Sequence, residues 1–430
     1  MKSFISDVFS IGVSKVLMIV FGLMTSIIVA RVLGPENNGV IAALLVYPSL
    51  FMSFGSLGIR QSTTYFLGKG IYSEDQIKTA ITQIWLFTTV FSIAICFMLI
   101  RYFSKSGENM WLVILALLPI PFTLFNTYNS GIFLGKNEIG VFNKINWIPT
   151  LISFLIVVIL VLWLDFGING YLLALFGGPL FISGILLFKN KFINAFSFNY
   201  NWSIIKRMLS LGLVYALALL IINLNYKIDV ILLDNLSSSF ETGIYTKGVS
   251  ITEYLWQIPM LLSTVIFARS AVSKDAKAFS LKVAQLLRLS FVAIGFAALV
   301  LFLFSKFIII LMYGEAFSGS VMVLNTLLPG VILLTIFKVI NMDLAGKGKP
   351  WVSLKAMVPA LIINVILNII FIPNYGAVGA AIASSISYTV ASFLFIFLYS
   401  KEIKIPVLEL IRYKVSDFQP IIQILKKLKP

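Results

Sequence analysis

Nine ionisable side chains stand inside or at the edges of long apolar runs: Lys15, Arg60, Lys227, Asp229, Lys247, Glu253, Arg269, Lys338 and Asp343. In hydrocarbon such groups are costly, face a cavity or a partner, and are functional candidates by default. Helical spacing shows which could share a face. Ser49, Ser53, Ser56 and Arg60 stand at i, i+4, i+7 and i+11, one polar stripe on an otherwise apolar helix. Lys247, Ser250, Tyr254 and Gln257 repeat the pattern at i, i+3, i+7 and i+10, and Asn223 stands four residues before Lys227. Lys227 and Asp229 are two apart and cannot pair on one face. Cations outnumber acids. A low-dielectric cavity of one sign attracts an anion, and phosphate is the anion that Lys and Arg hold best. Lys15, Arg60, Lys227, Lys247, Arg269 and Lys338 are therefore the expected phosphate ligands of a wet cavity. Ser49, Ser53, Ser56, Asn223, Ser250, Tyr254 and Gln257 line it, and Asp229, Glu253 and Asp343 are the candidates for ion coupling. The competing readings are snorkelling to headgroups for Arg60, Arg269 and Lys338, and internal ion pairs for Lys15, Lys227 and Lys247.

The elements carrying these residues must be membrane helices. Of 430 residues, 59% are hydrophobic and only 12% charged, with a mean hydropathy of +0.99, too little polar surface to cover a water-soluble globule. The single Cys96 and the absence of histidine remove a disulfide, a cysteine metal cage and the commonest general base. No metal, no cofactor and no enzymatic reaction are expected. The net charge of +16 has a membrane explanation, and no polar segment is long enough for a nucleic-acid domain.

Apolar runs of about 20 residues number twelve, the last pair divided at Pro373-Asn374-Tyr375-Gly376. With the N-terminus inside, twenty-five Lys and Arg fall in inner segments and four in outer loops, which places both termini in the cytoplasm. The tail after Lys401 alternates Ile and Leu with Lys and Arg, a basic amphipathic pattern suited to the inner leaflet, or to a merely solvated tail.

An internal repeat fixes the architecture. Gly135-Lys136 matches Gly346-Lys347 at a separation of 211, and Gly167-Ile-Asn-Gly170 matches Gly376-Ala-Val-Gly379 at 209, as does Arg60 with Arg269. The offset covers six spans, so the halves are parallel, an arrangement of transporters with a site between halves near the midplane. The expected fold is all-α: a six-helix lobe over residues 1–200, a second over 201–400, and a cytoplasmic tail over 401–430, around a central cavity.

Ala30-Arg-Val-Leu-Gly-Pro-Glu-Asn-Asn-Gly39, Gly58-Ile-Arg-Gln-Ser-Thr-Thr-Tyr-Phe-Leu-Gly-Lys-Gly70, the two Gly-Lys turns and Asn374-Tyr-Gly-Ala-Val-Gly-Ala-Ala381 carry a likeness over essentially the whole chain. The sequence resembles the bacterial polysaccharide repeat-unit flippases (Wzx-type, O-antigen and capsule exporters) of the multidrug/oligosaccharidyl-lipid/polysaccharide exporter superfamily. The resemblance implies translocation of an undecaprenyl-diphosphate-linked oligosaccharide across the bacterial inner membrane, from the cytoplasmic to the outer leaflet. It implies cavity-facing cations at Lys15, Arg60, Lys227 and Lys247, and a polysaccharide polymerase and chain-length regulator as partners. Alternatives are a cation-coupled multidrug exporter, for which the acids before Lys206 lie only at loops or helix ends, and a lipid II flippase, which resembles a longer chain. A membrane polymerase or glycosyltransferase would need a large outer loop or an Asp-x-Asp motif, and neither occurs.

Overall fold

A computed structural model of the chain describes all residues except 1–3, 137, 139–140, 142–144, 196–200, 274 and 420–430. The described residues form helices and short helical turns, with no strand among them. The first helix, α1 (Phe4–Gly55), is two spans joined at Gly34, whose φ of 72° and ψ of 176° break the helix just before Pro35. Glycine adopts that φ without steric cost, and proline has no N–H to lose at the start of a helix. The chain continues through α2 (Ile59–Gly68), α3 (Glu74–Phe103), α4 (Met110–Leu117), α5 (Pro119–Gly135), α6 (Ile148–Val157) and α7 (Gly167–Lys189). It goes on through α8 (Trp202–Leu236), α9 (Ser239–Leu255), α10 (Gln257–Val272), α11 (Ala276–Tyr313), α12 (Ser320–Gly346), α13 (Val352–Ile403) and α14 (Val407–Ile411). Like α1, α13 is two spans, divided at Gly376 with φ 51° and ψ −129°, the turn expected from Pro373-Asn374-Tyr375-Gly376.

Eight helical stretches are long and apolar enough to cross a bilayer. Among the described residues, two of them are the divided α1 and α13, α6 with its π turn adds a shorter apolar helix, and α9 with α10 stands where the sequence places the twelfth span. Polar caps mark several starts: Ser73 forms a capping box with Gln76 before α3, and Asp275 accepts from the N–H groups of Lys277 and Ala278 before α11. Large apolar side chains such as Phe87, Val90, Phe302, Phe307, Ile362 and Phe397 point outward, which suits lipid and not water.

The described chain divides into two units, residues 1–223 with 238–243, and residues 224–237 with 244–430. In the first, Val29, Leu33 and Ile41 of α1 pack on Val157 and Val161 beside α6 and on Ala174 of α7. In the second, α12 and α13 come very close. A Cβ on Gly330 would sit 2.6 Å from the Ser385 Cα, so glycine lets the Gly330 N–H reach the Ser385 Oγ at 3.0 Å.

Candidate functional site

Asp229 on α8 is fully buried, and its carboxylate collects hydrogen bonds from α9 and from both arms of α13. Tyr245 Oη on α9 donates to Oδ2 at 2.9 Å, and Ser384 Oγ on α13 donates to the same oxygen at 2.7 Å. Asn368 Nδ2, on the other arm of α13, donates to Oδ1 at 2.7 Å. Around them Asn368 also contacts the Asn364 side chain, and Ser387 Oγ donates to Asn225 Oδ1 at 3.0 Å. Asn225, Asp229, Asn364, Asn368, Ser384 and Ser387 are all fully buried, and the Asn368 Oδ1 has no hydrogen-bond donor. One carboxylate, amide carbonyls and hydroxyls make a hard, oxygen-rich cluster of single negative charge. That donor set suits a proton or a small monovalent cation, whereas a divalent ion wants more carboxylate charge.

A second cluster belongs to the same unit. Lys338 on α12 rests its Nζ 4.0 Å from the ring centre of Trp256 and 4.4 Å from that of Tyr226, a cation–π arrangement. Tyr388 closes the box with ring centroids 5.9 Å from both. Glu253 interacts electrostatically with Lys227 and Lys338; it is exposed, while Lys227 and Lys338 are half-buried. Lys338 is therefore a half-buried cation backed by aromatic rings, and Glu253 is the exposed member of the group. Lys247 on α9 is more enclosed, at 8% exposure, with its Nζ 5.3 Å from the Tyr313 ring centre.

Asp343, the last of the three candidate acids, is buried and tied into the scaffold. Its carboxylate accepts from Ser270 Oγ at 2.6 Å, Ser280 Oγ at 2.7 Å, Tyr399 Oη at 2.6 Å and Lys347 Nζ at 2.7 Å. Lys347 also donates to Ser280. This knot joins the ends of α10, α11, α12 and α13, and Lys347 is the lysine of the second Gly-Lys turn. The first Gly-Lys turn carries its own ion pairs, Lys136 with Glu74 at 3.2 Å and with Glu138 at 3.5 Å.

The sequence stripes are interrupted in space. Helix α1 ends at Gly55, and Leu57 (φ 46°) and Gly58 (φ 61°) turn the chain before α2 begins. Arg60, exposed on α2, consequently does not continue the helical register of Ser49 and Ser56. Ser49 Oγ bonds back to the Val46 carbonyl at 2.7 Å; the Ser53 side chain lies outside the described residues. Gln257 likewise opens α10 beyond the break at Trp256, so the second stripe keeps Lys247, Ser250 and Tyr254 on α9 and ends there. Asn223 and Lys227 do share one unbroken helix. Lys15 is half-buried on α1, and Arg269 is exposed near the end of α10.

The residues missed from the sequence are neutral partners of charge: Asn225, Tyr245, Asn364, Asn368 and Ser384 around Asp229, and Tyr226, Trp256 and Tyr388 around Lys338. A signal existed, since Asn225 with Asp229 and Asn364 with Asn368 are each spaced i, i+4 within apolar runs.

Comparison with known proteins agrees with this fold. A family model described as polysaccharide biosynthesis protein matches residues 4–272. The capsular polysaccharide biosynthesis protein CapF of Staphylococcus aureus is 22% identical over 402 residues, 90% of this chain and 97% of that protein. A putative O-antigen transporter of Shigella flexneri is 23% identical over 400 residues, 86% of this chain and 92% of that protein. A probable low-salt glycan biosynthesis flippase of Haloferax volcanii, Agl15, is 33% identical over 91 residues, 21% of this chain and 19% of that protein. Among solved structures, the lipid II flippase MurJ in an inward closed conformation has a TM-score of 0.73 at 16% identity, covering 96% of this chain and 95% of that one. An inward-facing multidrug resistance transporter of the MATE family has a TM-score of 0.72 at 16% identity, covering 90% and 94%. The chain is thus a multi-pass membrane protein with the twelve-helix fold of MOP-superfamily transporters, and it belongs to the polysaccharide biosynthesis protein family.

Proposed function

We propose that this protein is a flippase that moves undecaprenyl-diphosphate-linked oligosaccharide units from the cytoplasmic to the outer leaflet of a bacterial inner membrane by alternating access, for surface polysaccharide assembly. Membership of the polysaccharide family supports the pathway, and the carrying observation for the anion is the pair of half-buried cations Lys227 and Lys338 facing the single acid Glu253. A diphosphate stripped of water in hydrocarbon costs many kcal/mol unless compensated. Lysines held against aromatic rings supply that compensation while remaining mobile enough to release the cargo. Lys247 adds a more enclosed charge on α9 and Arg269 one near the end of α10 in the same unit, while Lys15 and Arg60 are the candidate cations of the first unit. Asp229, in its oxygen cluster, binds the coupling proton or monovalent cation. Of the other two acids, Glu253 tempers the lysines and Asp343 holds helices together.

The test is direct. The purified chain is reconstituted in proteoliposomes with a lipid-diphosphate oligosaccharide, and appearance of the sugar on the far leaflet is followed by lectin binding. Protein-dependent transfer that a neutral lipid-linked sugar does not show supports the reading. Equal transfer of the diphosphate and neutral lipids refutes it.

A further inference from the structure

The chain beyond α13 is built onto the end of α11. Lys404 ends α13 in a left-handed conformation, and the chain is then fixed at three points. Ile405 is buried, and its N–H and carbonyl both bond to Ser400. Leu410 of α14 is 1% exposed. Asp417 is gripped by Arg288 of α11, with Nε to Oδ2 and Nη2 to Oδ1 each at 2.7 Å. The third guanidinium nitrogen, Nη1, donates to the Leu410 carbonyl at 2.8 Å and to the Glu409 carbonyl. Gln285, one turn earlier, donates to the carbonyls of Ser416 and Asp417. A bidentate arginine–carboxylate pair this enclosed fixes orientation as well as proximity.

Residues between the anchors turn the other way. Leu408 is 67% exposed and Val415 85%, with Ile411 and Tyr413 also exposed. Lys401, Lys404, Arg412 and Lys414 are exposed beside them. Of the nearby acids, Asp417 is consumed by Arg288, Glu402 is paired with Lys349 at 2.7 Å, and the half-buried Glu409 of α14 offsets one of the four cations. The result is an apolar ridge flanked by cations in excess of acid, on a segment that leaves a membrane helix only a few residues earlier. A solvated tail gains nothing from such a ridge, whereas a membrane interface buries it and neutralises its cations.

We infer that residues 404–418 form an interfacial clamp, latched to α11 through Arg288 and Asp417, that seats Leu408, Ile411 and Val415 in the bilayer surface at that end of the helices and binds anionic lipid headgroups through Arg412, Lys414 and neighbouring lysines. The clamp sets how α11 and α13 meet the membrane, and it is independent of the cargo.

The test uses the full chain with Cys96→Ala and Val415→Cys, labelled with an environment-sensitive fluorophore. The labelled protein is reconstituted in phosphatidylcholine alone and in phosphatidylcholine mixed with phosphatidylglycerol, each with brominated acyl chains. The expected result is strong quenching by the bromines in the mixture and weaker quenching in phosphatidylcholine. Arg412→Gln with Lys414→Gln leaves the latch intact and is expected to lower the ratio of docked to undocked segment roughly thirty-fold at low salt, each cation contributing about five-fold. Asp417→Asn is expected to undock the label by releasing the latch. A label quenched by aqueous iodide and untouched by the bromines in both lipids overturns the inference and leaves the ridge to a protein partner. Bromine quenching equal in both lipids and unchanged by the double substitution overturns the headgroup recognition.

Discussion

Asp229→Asn tests ion coupling with little disturbance of the fold. The carboxylate accepts from Tyr245, Ser384 and Asn368 at 2.9, 2.7 and 2.7 Å. Asparagine keeps an acceptor for Asn368, and the two hydroxyls rotate to accept from its amide. Each charge-assisted bond of about 1.5–3 kcal/mol then becomes a neutral one of about 1 kcal/mol, a loss of roughly 3 kcal/mol in all. Removing a buried charge returns several kcal/mol of desolvation, so net stability should lie within about 2 kcal/mol of the parent. Asp229→Leu instead orphans three buried donors at about 1–3 kcal/mol each, enough to consume most of a typical folding free energy. The Asn variant should therefore express, melt near the parent and equilibrate substrate, while transport no longer responds to an imposed sodium or proton gradient. The Leu variant should fail to accumulate. The assay is proteoliposome transfer under each gradient, with thermal unfolding measured on the same preparation. Gradient-driven acceleration persisting in Asp229→Asn, or a collapse of its stability matching that of Asp229→Leu, refutes the reasoning.

Three further outcomes are expected. Lys247→Ala and Lys247→Glu should abolish export with normal protein levels while Lys247→Arg keeps part of it; Lys306, exposed on α11, is the silent control, and the readout is surface polysaccharide in a complemented deletion strain. Asp343→Ala strands Lys347 and three hydroxyls and should cost about 3–5 kcal/mol, whereas Lys347→Met leaves the carboxylate its hydroxyl donors and should cost less; detergent melting curves rank the two. The Arg288 hydrogen bonds hold the Asp417 carboxyl below the usual carboxylate range. A lowered pKa stabilises the folded state above the ordinary value near ~3.9 and is lost as pH falls through the lowered one, so the tail should stay latched at neutral and mildly acid pH and open only below about pH 4, as read by the Val415 label.

The twelve spans were legible because hydropathy and length are local properties, and the division at Gly376 followed from a Pro-Asn-Tyr-Gly turn. The breaks at Leu57–Gly58 and Trp256 were not. Leucine seldom adopts a positive φ, so nothing in its type announces the turn, and a run of apolar residues reads as one helix. The lysines were visible as charges in apolar sequence, but their aromatic supports look like ordinary membrane residues. Tyr388 lies 162 residues from Tyr226 in the chain, and only tertiary packing decides that the two rings meet. The same holds for Arg288 and Asp417, 129 residues apart. Asp343 and Lys347 differ: an i, i+4 pair is local and its spacing was there to be read, yet Asp343 was expected to couple an ion.

Asp229 and the lysines Lys227 and Lys247 lie on opposite sides of α8 and α9. Residues two apart on a helix are rotated by about 200°. Asp229 therefore faces Tyr245 and α13 while Lys227 points away from them, and on α9 Tyr245 and Lys247 divide in the same manner. Between the clusters, Ser384 bonds to Asp229, and one turn later on α13 Tyr388 packs on Tyr226 and Trp256, the rings under Lys338. A shift of α13 on the proposed proton or cation binding at Asp229 would therefore move the Tyr388 ring against the rings that support Lys338, the lysine proposed to meet the cargo. In the first unit the described interior polar contacts include the neutral pairs Asn126 with Ser183, Asn129 with Asn190 and Thr88 with Tyr128, and the buried Lys78 pairs with Glu74 at 2.8 Å near the start of α3. The described chain divides into two units. The proposed ion and anion sites share one of them, where the contact path between them is made of hydroxyl, ring and amine in direct succession.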